Sequence, residues 1–271
     1  MKNIKELEKI SNNIRIGIIE AVYGAKSGHP GGALSIADIL TVLYFNEMNI
    51  NPTEPNSISR DRLVLSKGHS APALYSTLAE RGYFSKENLK TFRKIDSNMQ
   101  GHPDMNKVPG IDMTTGSLGQ GLSCANGMAM SSKIDKAGFK VYCILGDGEI
   151  EEGQIWEAAM TSSHYKLDNL CVIVDNNNLQ IDGEIENVMS PYPIDKKFEA
   201  FGFNVLKIDG HNIEEIILAF KTFKNTKGKP TVIIANTIKG KGVSFMENEV
   251  SWHGKAPSDE EYMQAISELT V

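Results

Sequence analysis

Apolar residues recur at helical spacing over residues 4–23, where Ile4, Leu7, Ile10, Ile14 and Ile18 would share one face. Ser35 stands where it could cap a second helix running to residue 48. A short apolar run at 62–66 predicts a buried strand, and helices are expected over 71–81 and 86–94. Glycine and proline punctuate residues 101–121, so that span must be mostly loop before helix resumes over about 120–136. From residue 141 the pattern becomes strand alternating with helix: strands at 141–145, 170–174, 203–208 and 231–235, helices at 155–165, 196–201 and 213–223, with an acidic helix closing the chain after residue 258. The strand runs are continuously apolar, which fits strands buried on both faces. The fold class expected is α/β, a parallel sheet sandwiched between helices, with 1–271 forming a single domain.

Composition removes several function classes. The chain has 271 residues, 41% of them hydrophobic and 23% charged, as in an ordinary globular domain. A net charge of −6 with no basic tract gives no footprint for nucleic acid. No apolar run approaches the roughly 20 residues of a membrane span. Cys124, Cys143 and Cys171 are odd in number and lie in apolar contexts, which predicts free buried thiols and a cytoplasmic location.

Two polar turns carry the chemistry. Gly146-Asp147-Gly148-Glu149 follows the run Val141-Tyr142-Cys143-Ile144-Leu145, and Asp175-Asn176-Asn177-Asn178-Leu179 follows Leu170-Cys171-Val172-Ile173-Val174. Parallel strands joined by a crossover helix would set these turns side by side at the carboxyl edge of the sheet. There Asp147 and Asn177 could share one magnesium ion, which takes few protein oxygens and keeps sites for diphosphate and water. No Gly-Lys-Ser/Thr follows any glycine cluster, so a Walker loop is excluded.

With Gly146-Asp147-Gly148 and Asn177 stand four further segments: Ser27-Gly28-His29-Pro30-Gly31-Gly32, Ser66-Lys67-Gly68-His69-Ser70, Gly101-His102-Pro103 and Thr114-Thr115-Gly116-Ser117-Leu118-Gly119-Gln120-Gly121. In that order, from about residue 21 to 257, the chain resembles the N-terminal part of the transketolases. The resemblance implies the diphosphate-binding type of the thiamine-diphosphate fold. It implies thiamine diphosphate as cofactor, with Mg2+, or Ca2+ or Mn2+ in its place, on Asp147, Asn177 and the Leu179 carbonyl. By the same resemblance Gly148 would donate to the diphosphate, and Gly116 and Leu118 would lie against the aminopyrimidine ring. His29, His69, His102 and His253 would line the substrate channel as catalytic residues, His69 and His253 also touching the cofactor. Unperturbed imidazole, with a pKa near about 6.5, can both give and take a proton at neutral pH. His164 and His211 are given structural roles. Glu152 admits two readings: an acidic first turn of a helix, or the family's glutamate that couples two active sites across an interface. Lys239-Gly240-Lys241-Gly242 would form a loop over the cofactor that orders when it binds.

A whole transketolase carries a pyrimidine-binding and a C-terminal domain, and neither is present in these 271 residues. The expected arrangement is therefore a natural split enzyme. A second subunit would supply the pyrimidine-binding domain, in a heterotetramer of two copies of each chain, although a fragment of a longer protein also fits. The reaction implied is reversible transfer of a two-carbon ketol unit from a ketose to an aldose. Pentose and hexose phosphates are the default substrates, and sulfonated sugars stay open. The rival readings are the α subunit of a 2-oxo acid dehydrogenase and a non-catalytic interaction subunit.

Overall fold

The computed structural model describes residues 2–270. Seven strands are present among them: β1 (Arg62–Leu65), β2 (Val141–Gly146), β3 (Leu170–Asn176), β4 (Leu179–Gln180), β5 (Gly183–Glu184), β6 (Asn204–Asp209) and β7 (Thr231–Asn236). Five of them form one sheet in the order β1-β2-β3-β7-β6, and every pairing in it is parallel.

Alternate residues of each central strand enter different layers. Tyr142, Ile144, Cys171, Ile173, Ile233 and Ala235 pack into one core. Cys143, Leu145, Val172, Val174, Val232 and Ile234 pack into the other. Burial on both faces is why these strands read as unbroken apolar runs. The first layer is roofed by α1 (Ile4–Ala25), α3 (Ala37–Val42), α4 (Ala71–Arg81), α9 (Ile213–Asn225) and α10 (Asp259–Leu269). The second is covered by α5 (Gly121–Ile134), α6 (Gly153–His164) and α8 (Ile194–Ala200). Asn3 and Glu6 form a capping box at the start of α1, and Ser258 with Glu261 does the same for α10.

Several expectations need correction. No helix spans 35–48. The segment holds α3 and a π-helical turn over Leu43–Glu47, and a separate short helix, α2 (Pro30–Leu34), precedes it. Ser35 makes no N-cap bond, because its hydroxyl donates to Asp175 Oδ2, 2.7 Å away, with the Gly32 carbonyl at 3.0 Å as the alternative acceptor. The helix expected at 86–94 is a 3-10 segment, Lys86–Thr91, that stops before Arg93 at φ 58°. The edge strand β6 is only half-buried, unlike the runs inside the sheet. The β4–β5 hairpin and the short helix α7 (Ile185–Val188) carry no apolar periodicity from which a sequence could predict them.

Candidate functional site

The sheet register aligns Gly146 with Asp175, so β2 and β3 end level. The turns beyond them touch. Asp147 Oδ2 accepts from the Asn178 N–H at 2.6 Å, while Oδ1 accepts from the Gly148 N–H at 2.9 Å. Asn178 turns the chain at φ 65°, a left-handed conformation that asparagine tolerates well. Asn177 Nδ2 donates to Asp175 Oδ2 at 2.9 Å, and its Oδ1 accepts from the Leu179 N–H at 3.2 Å. The amide is thereby fixed with its oxygen on the Leu179 side.

These turns floor a cavity of about 290 Å³, the lining of which includes His29, His69, Gly116, Leu118, Asp147, Gly148, Asn177, Leu179 and His253. Nine of the residues read from the sequence thus meet in one place. His29, His69 and His253 form a triangle with ring centroids 5.3–5.5 Å apart. His29 enters from the N-terminus of α2, aimed by Gly28 at φ 147°, where an added Cβ would also strike Val22 at 2.9 Å. His102 lies just outside the lining: a Cβ on Gly116 would stand 3.2 Å from its ring. Glu152 is exposed beside Gly119, away from the cavity. His164 is exposed at the end of α6, outside the cavity lining. His211 is half-buried behind the site, bonded to Asp38.

Sequence reasoning missed the charged frame. Asp175 is fully buried. It accepts from Lys67 Nζ at 2.6 Å, Ser35 Oγ at 2.7 Å and Asn177 Nδ2 on Oδ2, and from Thr237 Oγ1 at 2.5 Å on Oδ1. Burial alone would raise its pKa, but the Lys67 ammonium holds it below the usual carboxylate range. Glu149, also buried, accepts from Ser66 Oγ and from the Gly119 and Gly146 N–H groups, tying the glycine-rich loop to the floor. Lys239, 2% exposed, donates to the Leu179 carbonyl and to His253 Nδ1, both at 3.0 Å. One signal was available: Lys67, Asp175 and Lys239 are charges sitting at the ends of apolar strands or inside glycine turns, where an unpaired ion would be costly.

Burial sets the charge state of the histidines. Burial, then nearby cations, lowers His29 and His253 to about 4 and His69 well below its ordinary value; burial and Arg93 lower His102. At neutral pH these rings are uncharged hydrogen-bonding groups. His253 Nδ1 accepts from Lys239, which leaves the proton of the neutral ring on Nε2. Burial pushes Lys239 down to about 8. Burial and then the neighbouring Asp175 charge push Asp147 up to about 7, a strain that a bound cation would relieve.

The residues suit a metal diphosphate. Among the described residues no three His, Cys, Asp or Glu side chains gather as a metal cage. The donors are instead one carboxylate, one amide oxygen and one carbonyl, a hard and incomplete set that calls for outside oxygens. The Lys239 ammonium faces this space and meets a carbonyl and an imidazole, while the Lys67 ammonium beside it is paired with Asp175. Glycines leave room: a Cβ at Gly148 would close on Gln180 at 3.3 Å, and one at Gly32 would stand 3.6 Å from Lys67 Nζ. His29 Nδ1 is buried with no partner in the protein. Two expectations are qualified: the Gly148 N–H is engaged by Asp147 Oδ1, so serving a phosphate requires it to share that donor, and the Leu179 carbonyl accepts from the Lys239 ammonium, which would have to turn away for that oxygen to meet a cation.

A parallel sheet whose level strand ends and glycine-rich turns line one cavity defines an α/β protein with its site at the carboxyl edge of the sheet. Residues 7–270 match the family described as transketolase, thiamine diphosphate binding domain. The chain belongs to that transketolase family. It is 46% identical over 267 residues to one of the apulose-4-phosphate transketolase subunits of Phocaeicola vulgatus, covering 98% of this chain and 95% of that one. It is also 46% identical to 6-deoxy-6-sulfo-D-fructose transketolase subunit SqwG of Clostridium sp. (strain MSTE9), covering 97% and 96%. Human transketolase is 44% identical over 99% of this chain, which spans only 42% of that protein. The crystal structure of Campylobacter jejuni transketolase superposes with a TM-score of 0.93 at 37% identity, over 99% of this chain and 43% of that one.

Proposed function

We propose that this chain is the diphosphate-binding subunit of a two-chain transketolase, one domain over residues 1–271, acting with a second subunit that carries the pyrimidine-binding domain. The observation that carries the reading is the Asp147–Asn178 bond, which locks two strand-end turns around one cavity. The near full-length match to two relatives named as transketolase subunits supports the split arrangement. A heterotetramer of two copies of each chain is the assembly assigned, since twofold closure is the common outcome for paired subunits.

The chemistry that thiamine diphosphate supplies when bound is a carbon nucleophile and a sink for the electron pair released on C–C cleavage. The protein's part is positional. Asp147, the Asn177 amide oxygen and the Leu179 carbonyl hold Mg2+, or Ca2+ or Mn2+. Lys67 and Lys239 offset the diphosphate charge, and Gly148 offers its N–H. Gly116 and Leu118 form the wall for the aminopyrimidine ring. His29, His69, His102 and His253, neutral at pH 7, orient sugar hydroxyls and pass protons between neutral donors and acceptors. Leu118 and Ile181 stand at the cavity with 37% and 63% of their surface exposed, apolar area that the second subunit would cover. Glu152, exposed beside Gly119, is assigned to coupling between sites.

Substrates are assigned by class: a ketose donor and an aldose acceptor with an anionic tail, phosphate or sulfonate, gripped from the second subunit. The named relatives act on a phosphorylated and a sulfonated sugar, which supports that class. No described helix is long and apolar enough to cross a membrane. Three free thiols, two of them buried, support a reducing cytoplasmic location. The test is reconstitution: ketol transfer to an aldose should appear only when both chains, Mg2+ and thiamine diphosphate are combined. Transfer by this chain alone would overturn the split reading.

A further inference from the structure

Lys239 sits on a loop whose backbone is anchored at successive residues. The Thr237 N–H donates to the Asn176 carbonyl at 3.2 Å, the Gly240 N–H to Gly31 at 3.0 Å, and the Lys239 carbonyl accepts from Asn248 at 2.9 Å. Two further anchors come from a buried side-chain cluster behind the cavity. His211 Nε2 accepts from the Ile238 N–H at 2.9 Å, and Arg15 Nε donates to the Lys241 carbonyl at 3.1 Å. Both are held by one carboxylate: Asp38 Oδ2 takes His211 Nδ1–H at 2.8 Å and the Arg15 guanidinium at 2.5 Å. Ser11 closes the cluster, donating to Asp38 and accepting from Arg15 NH1 at 2.8 Å. These groups come from α1, α3 and the turn ahead of α9, and none of them lines the cavity.

We infer that Arg15, Asp38 and His211 are positioning residues that aim the Lys239 ammonium at the diphosphate, by fixing the backbone on either side of it. The inference rests on the cofactor site assigned above. A lysine side chain has four rotatable bonds, so its ammonium can be delivered to one point only if its Cα is fixed and its stem is packed. Asp38 also selects the His211 tautomer. A ring that donates from Nδ1 must present an unprotonated Nε2, which is what the Ile238 N–H requires.

A cofactor-affinity cycle tests this, read as the Kd of Mg2+ thiamine diphosphate by calorimetry on the complete two-subunit complex. His211→Phe should weaken binding about tenfold when Lys239 is present and less than about twofold in the Lys239→Ala background, because contacts acting through one group are not additive. His211→Gln, whose amide oxygen can replace Nε2 as acceptor, should recover most of the loss. Should His211→Phe fail to assemble, Arg15→Lys runs through the same cycle, keeping the charge opposite Asp38 while losing the bond to Lys241. An equal loss in both backgrounds would overturn the positioning role and leave the site intact. An unchanged Kd in Lys239→Ala alone would overturn the site assignment, and the inference with it.

Discussion

Asp175→Asn is the most demanding perturbation of the buried frame, because it keeps the shape and removes only a charge. Three of the four donors converge on Oδ2, so an asparagine oxygen placed there retains Lys67, Ser35 and Asn177. The new NH2 would face Thr237 Oγ1, which can rotate to accept it. What cannot be repaired is the Lys67 ammonium, 2% exposed and 2.6 Å from the lost charge. Breaking a buried pair by neutralising one partner costs about 3–5 kcal/mol, and the retained hydrogen bonds place this case near the lower end. For a chain of this size each kcal/mol moves the melting temperature by about 2–4 °C, so a fall of about 6–12 °C is expected. Scanning calorimetry of the purified chain reads it directly. Adding Lys67→Met should recover part of the fall by removing the stranded cation. A drop under about 2 °C, or no recovery in the double variant, would refute the claim that this ion pair frames the site.

Gly240→Ala should destabilise the chain by at least about 1–3 kcal/mol in urea titration: φ is 81°, and a Cβ there would stand 2.2 Å from the Met246 carbonyl. Wild-type stability at that position would show the loop packing to be wrong. Acid should weaken the chain through the histidine triangle. His29 and His253 have folded pKa values of about 4, below their ordinary 6.5, so between those limits the unfolded chain binds more protons. Stability should hold above pH 6.5 and fall as the pH drops toward 4, with a shallower slope in His29→Asn. A melting temperature flat across that interval would contradict the assignment.

Much of this architecture was legible because burial writes itself into the chain. Runs such as Leu170-Cys171-Val172-Ile173-Val174 serve both cores at once, and no other arrangement needs five consecutive apolar residues between polar turns. The turns were legible for the opposite reason: Asp147 and Asn177 are polar groups placed where apolar strands end. Ser35 shows where local reasoning fails. A serine ahead of an apolar stretch reads as a cap, yet Asp175, 140 residues away, claims its hydroxyl and the helix breaks into shorter pieces. Burial beside Lys67 and Lys239 lowers the pKa of His69 and His253, and the sequence alone carries no sign of it. Asp38 and His211 carry no motif, and only the tertiary fold reveals that they hold the loop behind the cavity.

The central claim is that Asp147 and Asn177 hold a divalent cation that bridges to a diphosphate. The most direct measurement is the Kd of thiamine diphosphate for the two-subunit complex, with Mg2+ and with chelator, in wild type and Asp147→Ala. Tight binding that needs the cation and disappears in Asp147→Ala is the predicted result. Equal binding with and without cation, or an Asp147→Ala complex that binds like wild type, would contradict it.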